Sequence, residues 1–331
     1  MNRLSIGKIR GLQQISTADG IFLICAMDHR GSLQNMIEKE QLQKVGYQEM
    51  VEHKIDLCEA LAPFASAVLL DPNYGAAQCI AAGALPGQTG LLVNIEATGY
   101  QRKPDGRITT LQGGWGVEKI KRMGASAVKI LIYYRPDLKE VAKRQLKTID
   151  TVASQCHKFD IPFLVEPVTY ALKGEDTGSK EYASKKPELV IETARQTTSL
   201  PIDVLKSEFP ADLKYEKGKG RPLELCRQLD QASRVPWVIL SAGVDYEHFR
   251  KQVEIACQAG ASGFLGGRAI WQDALKLRDR KERVKFLKTT VTDRLKELGE
   301  IATKHATPWY RKMGLQAHEL TPIPQNWYTT H

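Results

Sequence analysis

No window of this sequence approaches the roughly 20 consecutive apolar residues that a membrane helix requires, and the polar stretch Met1 to Gly20 lacks the hydrophobic segment of a signal peptide. Those absences predict a chain that neither spans a membrane nor is exported, and so works in the cytoplasm. Cysteine is sparse and scattered. The six residues Cys25, Cys58, Cys79, Cys156, Cys226 and Cys257 form no C-x-x-C pair and have no histidine at ligand spacing. A disulfide framework and a zinc site are thereby set aside, and buried thiols in a reducing compartment are expected, with no metal. No Arg/Lys tract carries interleaved aromatics, and the net charge of +9 is spread over stretches such as Lys276 to Lys288, where bases alternate with acids. No nucleic-acid partner is expected; the basic balance fits a solvated surface, or a mouth that attracts a small anionic substrate. No linker rich in Pro, Gly or Ser divides the chain and no internal repeat is visible. The 331 residues are therefore read as one unit, 1–331, with a core of about 20–275 and a C-terminal helical extension of about 280–310.

What the sequence does contain is a recurring short apolar run, followed each time by a polar or glycine-bearing corner and a longer helical stretch. The runs are Phe22 to Asp28, Ala67 to Asp71, Leu91 to Glu96, Ala127 to Tyr134, Phe163 to Pro167, Val204 to Phe209, Trp237 to Ala242 and Gly263 to Gly267. Eight strands alternating with helices predict an α/β fold, a (β/α)8 TIM barrel. An open doubly wound sheet would more readily show a glycine fingerprint after its first strand, and none is present. Helices are expected over Leu33 to Leu61, Gly116 to Met123, Asp137 to Lys158, Pro187 to Thr198, Pro222 to Ala232 and Tyr246 to Ala259, the last capped by Asp245 and ended by Gly260. A final outer helix, about Arg280 to His305, carries the stripe Val284, Leu287, Val291, Leu295 and Leu298. The loop Lys173 to Lys186 reads as a mobile lid or a disordered excursion. The helical surfaces show no self-association stripe, and a homo-oligomer stays open.

Polar residues gather at the ends of the runs, where a barrel of this kind builds its active site. Lys206 and Glu208 stand two apart in one run, hence on one face; so do Asp28 and Arg30, and Arg30 is read as a substrate contact. Burying an ammonium costs free energy unless it is paired or neutralised, and a neutral lysine is a nucleophile for carbonyl carbon. A structural ion pair is the alternative reading, with Glu208 as the partner that keeps Lys206 charged. Lys129 sits inside the fourth run and Glu166 ends the fifth. Asp71 and Glu96 read as structural, His29 as an orienting residue, and Trp115, Trp237 and Trp271 as packing. Two glycine-bearing corners, Ser241-Ala242-Gly243-Val244 and Gly266-Gly267-Arg268, follow the seventh and eighth runs, the positions at which barrels commonly hold a phosphate.

The set Ala26-Met27-Asp28-His29-Arg30-Gly31, Leu69-Leu70-Asp71-Pro72-Asn73-Tyr74-Gly75, Thr98-Gly99-Tyr100, Val128-Lys129-Ile130-Leu131-Ile132-Tyr133-Tyr134, Asp203-Val204-Leu205-Lys206, Leu240-Ser241-Ala242-Gly243-Val244 and Gly267-Arg268-Ala269-Ile270-Trp271 resembles the tagatose-1,6-bisphosphate aldolase family. These are class I, Schiff-base aldolases of the DeoC/LacD type, found in bacterial lactose and galactose catabolism. The resemblance runs in order from about Gly20 to Trp309. It implies a lyase that needs no cofactor and takes a phosphosugar, with Lys206 forming the Schiff base, Glu166 moving protons, and Lys129 and Asp28 handling hydroxyls and protons around the imine. Ser241, Gly243, Gly267 and Arg268 match its phosphate site. His29, where glutamine is usual, and Pro167 after the glutamate depart from the family pattern and bear on which ketose is taken. A sister group acts on 6-deoxy-6-sulfofructose 1-phosphate. A phosphosugar isomerase, or a non-catalytic sugar-phosphate-binding barrel, is the reading of a different class.

Overall fold

The computed structural model describes residues 4–41, 44–103, 106–216 and 218–330; Met1 of the N-terminal stretch, and residues 42 and 43 inside the helix expected over Leu33 to Leu61, lie outside them. Eight strands, β1 (Phe22–Ala26), β2 (Ala67–Leu70), β3 (Gly90–Asn94), β4 (Ala127–Tyr133), β5 (Phe163–Val168), β6 (Val204–Ser207), β7 (Trp237–Leu240) and β8 (Gly263–Gly266), close into one parallel barrel in the order β1-β8-β7-β6-β5-β4-β3-β2. This is a TIM barrel, and all eight expected runs are its strands. They are almost wholly buried because one face meets the barrel interior and the other the surrounding helices, which is why they read as continuous apolar runs. Closure pairs Phe22 with Gly263. Gly263 has φ +132 and its missing side chain lets the Phe22 backbone pack against it; a Cβ there would collide with the Phe22 carbonyl.

Alternation along the strands sorts the core into two layers. Phe22, Ile24, Leu69, Leu92, Leu164, Val238 and Leu265 face the barrel interior, while Cys25, Val68, Val93, Val165 and Ile239 pack under the helices. The N-terminal stretch, polar in overall composition, holds a helix, Ile6–Ile15, whose Ile9, Leu12 and Ile15 are buried. Leu12 and Ile15 share the interior cluster with Trp309, whose backbone N–H donates to Gly20 O at 3.0 Å. Together they floor the barrel at the N-terminal ends of the strands, leaving the opposite end open.

The helices depart from expectation at three places, each with a local cause. The long stretch Leu33 to Leu61 is two helices, Gly31–Gln41 and Tyr47–Leu61; the second begins after Gly46, whose N–H is taken by the Glu49 carboxylate at 3.0 Å. The helix placed at Pro187 starts earlier, as Lys180–Thr197, because the Ser179 hydroxyl caps it by accepting the Tyr182 N–H, and Pro187 lies within it. Half of the loop expected over Lys173 to Lys186 is therefore helix. The rest is tied down by Glu175, which bonds the buried Arg135 guanidinium at 2.6 Å. The outer helix is Arg280–Phe286 and Thr292–His305 joined by a π-turn, Leu287–Val291. The wider turn advances the buried stripe by one residue, so Leu287, Val291, Leu295 and Leu298 are buried, whereas Arg283 takes the place expected of the half-buried Val284. Asp245 caps Tyr246–Gln258 as expected, accepting the His248 N–H at 2.9 Å. All six cysteines are free and buried, and no described helix is long and apolar enough to cross a membrane.

Candidate active site

The open end of the barrel holds a cavity of about 620 Å³. Every strand but β2 sends residues to it. Asp28, His29 and Arg30 come from the end of β1, Glu96 to Gly99 from β3, Lys129, Leu131 and Tyr133 from β4, Glu166 and Val168 from β5, Lys206 and Glu208 from β6, and Leu240 to Ala242 and Leu265, Gly267 and Arg268 from β7 and β8. Spacing by two residues along β4 puts Lys129, Leu131 and Tyr133 on its inner face.

At the centre two lysines and three carboxylates form one network. Lys129 Nζ lies 2.8 Å from Asp28 Oδ2, 2.9 Å from Glu96 Oε1 and 2.8 Å from Glu166 Oε2, and Lys206 Nζ lies 2.6 Å from Glu166 Oε1. Glu166 thus bridges the two ammonium groups, one on each oxygen. Burial alone would lower the Lys129 pKa, but Asp28, Glu166 and Glu96 outweigh it and hold Lys129 well above the usual lysine range. Burial likewise works to raise Asp28 and Glu166, yet the adjoining Lys129 and Lys206 keep both carboxyls below their ordinary values. The partner of Lys206 is Glu166, and not Glu208 as the two-residue spacing suggested. Glu208 instead accepts the Thr169 N–H at 2.7 Å, and burial raises its pKa.

Glu96, read from the sequence as structural, is a full member of the network. Its Oε1 also accepts from Asn94 Nδ2 at 3.0 Å, and its backbone carbonyl takes the Arg30 Nη2 proton at 2.9 Å. Arg30, also bonded to Asn73, lines the cavity from a fixed position. Asp71 is structural: it pairs at 2.7 Å with Lys54, and both side chains are wholly buried. The Lys54 ammonium also donates to the carbonyls of Met27 and His29, the residues on either side of Asp28. This support was missed in the sequence, although Lys54 interrupts the stripe Met50, Leu57, Cys58, Leu61 of its helix and so had to be buried. His29 packs edge-on against Trp271 with ring centroids 5.2 Å apart. Burial pushes its pKa down to about 3, so the imidazole is neutral and its 3.9 Å approach to Asp28 is no ion pair at neutral pH.

On the β7–β8 side, Ser241, Gly267 and Arg268 line the cavity. Gly243 does not; it stands behind Arg268 with φ +77, and a Cβ on it would lie 2.9 Å from Arg268 Cζ. The half-buried Arg268 guanidinium has no carboxylate or hydrogen-bond partner among the described residues. A cationic fork left open in a cavity beside small residues is the arrangement that takes an anion.

The model of the DeoC/LacD family aldolases matches residues 22–273, the whole barrel. The chain belongs to that family. Among curated relatives of this DeoC/LacD chain, tagatose 1,6-diphosphate aldolase 2 of Streptococcus agalactiae is 33% identical over 92% of this chain and 98% of its own length. The tagatose 1,6-diphosphate aldolase of Lactococcus lactis is 34% identical over 92% and 98%. Among solved structures, a Schiff-base-forming fructose-1,6-bisphosphate aldolase superposes with TM-score 0.55 at 21% identity, covering 85% of this chain and 96% of that one. An archaeal fructose 1,6-bisphosphate aldolase gives 0.56 at 20% identity, covering 86% and 98%. At such identities the superpositions bear on the fold alone.

Proposed function

We propose that this aldolase is of class I and cleaves a ketohexose 1,6-bisphosphate, D-tagatose 1,6-bisphosphate first among them, reversibly to dihydroxyacetone phosphate and glyceraldehyde 3-phosphate through a Schiff base on Lys206. The observation that carries the reading is the 2.6 Å contact between Lys206 Nζ and Glu166 Oε1 inside the cavity, next to a second, permanently charged lysine. Family membership and the tagatose 1,6-diphosphate aldolases among its relatives support the substrate.

In this mechanism Glu166 takes a proton from the Lys206 ammonium, and the freed amine adds to C2 of the ketose. Glu166 returns the proton to the carbinolamine hydroxyl, water leaves, and the iminium forms. A carboxylate then accepts the C4 hydroxyl proton; Glu166 is the first choice and Asp28 the second. The C3–C4 bond breaks, its electrons pass to the iminium nitrogen as an enamine, and the aldehyde departs. Protonation at C3 and hydrolysis release dihydroxyacetone phosphate and restore Lys206. Lys129, fixed by three carboxylates, presents a constant positive charge to the sugar hydroxyls and keeps Asp28 and Glu166 ionised between proton transfers. Ser241, Gly267 and Arg268 hold the C1 phosphate next to the C2 attachment point, and Arg30 contacts the substrate from the β1 side.

Borohydride reduction in the presence of dihydroxyacetone phosphate, followed by peptide mass mapping, tests the chemistry. A substrate-dependent adduct on the peptide holding Lys206 is expected; its absence in folded, phosphate-binding protein sinks the Schiff-base reading. Initial rates on tagatose, fructose and sulfofructose phosphates then rank the substrates.

The phosphate corner makes a separate claim. In Gly243→Ala the methyl group must displace the Arg268 guanidinium and adopt a left-handed backbone, so the dissociation constant for inorganic phosphate should rise about tenfold or more by calorimetry. Unchanged binding would remove Arg268 from the phosphate site.

A further inference from the structure

The hairpin that follows β3, Gln101–Lys103 paired with Gly106–Ile108, carries an arginine that the mechanism does not use. The Arg107 guanidinium carbon lies 4.6 Å from the centroid of Tyr100, 4.8 Å from that of Tyr170 and 5.7 Å from that of Tyr133. The cage is itself packed: the Tyr100 and Tyr133 centroids are 4.7 Å apart, and Tyr170 Oη accepts the Arg107 backbone N–H at 3.1 Å. Stacking engages the faces of a guanidinium and leaves its in-plane N–H groups available. Among the described residues no carboxylate and no acceptor takes them. Within the described residues the cation is thus oriented without being neutralised. One wall of its cage, Tyr133, also lines the cavity, as do Thr98 and Gly99 at the root of the hairpin.

The position of this cation in the barrel gives it meaning. Around the ring of strands, the β3–β4 pair stands opposite β7–β8. Under the proposed function, on which this inference rests, the C1 phosphate sits at β7–β8, C2 is bonded to Lys206 on β6, and the reacting carbons lie over Lys129 and Glu166. The far end of an extended substrate must then point toward β3 and β4. We infer that Arg107, held by the Tyr100, Tyr133 and Tyr170 cage, is a specificity-determining residue that binds the anionic group at the distal end of the substrate, the C6 phosphate of a hexose bisphosphate.

Hexitol phosphates separate this inference from the aldolase chemistry, because they lack the carbonyl and cannot react with Lys206. The dissociation constants of a hexitol 1,6-bisphosphate and a hexitol 1-phosphate are measured by calorimetry for the wild type, Arg107→Met and Arg107→Lys. Wild type should prefer the bisphosphate by about 10- to 100-fold, the range of one charge-assisted contact. Arg107→Met should lose most of that preference with binding of the monophosphate unchanged, and Arg107→Lys, which keeps the charge but not the stacked fork, should retain part of it. A preference that persists in Arg107→Met, or an equal weakening of both ligands, overturns the inference; the latter would make Arg107 a pin for the tyrosines. Failure of the borohydride trapping would fall on the Schiff-base reading alone.

Discussion

Replacing Lys206 with methionine should lower kcat by at least roughly 10⁴-fold, because no other group can form the covalent intermediate. The loss should be chemical and not structural. Glu166, the partner of Lys206, keeps its second oxygen on Lys129 at 2.8 Å, so no buried carboxylate is stranded. Methionine fills nearly the same volume in a site that is 5% exposed in the wild type. The variant should therefore unfold within about 1 kcal/mol of the wild type and still bind inorganic phosphate, while borohydride with dihydroxyacetone phosphate leaves no adduct. Residual turnover above one hundredth of the wild-type rate would point to a phosphosugar isomerase, whose acid–base chemistry does not need this lysine.

Lys129→Met should have the opposite signature, a large loss of stability together with a loss of activity. Lys129 joins Asp28, Glu96 and Glu166, and removing it leaves the buried Glu96 and Glu166 and the half-buried Asp28 with Lys206, among the described residues, as the one remaining cation in ion-pair contact. Stranding buried charge in this way costs roughly 3–5 kcal/mol. In the wild type, Asp28 and Glu166 have lowered pKa values, so their stabilisation is complete above the unfolded carboxyl range, near pH 4, and is lost as pH falls through the folded values. Lys129 has a raised pKa, so its contribution is complete below about pH 10.4 and is lost as pH climbs through the higher folded value. The contribution of this network should be flat between those limits, while His29, held neutral by burial, adds a separate decline as pH drops below the unfolded histidine value near 6.5. Without Lys129, burial drives the carboxyls upward, and the acid-side decline should begin at higher pH than in the wild type. Urea unfolding at pH 5, 7 and 9 measures both effects; a variant as stable as wild type at pH 7 would show that the network carries no net stabilisation.

The strands were legible because a doubly buried strand has no polar side to disguise it, and four of the eight runs, those closing at Asp28, Asp71, Glu96 and Gly267, ended at a charged or glycine residue. Lys206, Glu166, Lys129 and Asp28 could be placed for the same reason: a charge in an apolar run has only the cavity to face. Pairing was less legible. The two-residue spacing puts Lys206 and Glu208 on one face, but the register of β5 on β6 brings Glu166 across to Lys206, and Glu208 turns to the Thr169 backbone. Glu96 looked structural because its partner, Lys129, lies on the neighbouring strand. Short-range polarity hid the first helix, where Lys8, Arg10, Gln13 and Gln14 mask a three-residue apolar spacing. The π-turn at Leu287–Val291 has no sequence signal that periodicity would detect.

The floor of the barrel has a consequence for the order in which the chain folds. Ile6–Ile15 is synthesised long before Trp309, yet Leu12, Ile15 and Trp309 share one layer against Phe22, Leu69 and Leu265. A contact between segments so far apart in sequence forms late, after the chain between them has been ordered. A nascent chain on the ribosome therefore carries a nearly complete ring of strands with an unsealed apolar base. Docking of Trp309 is the event that ends its exposure to aggregation and to chaperones.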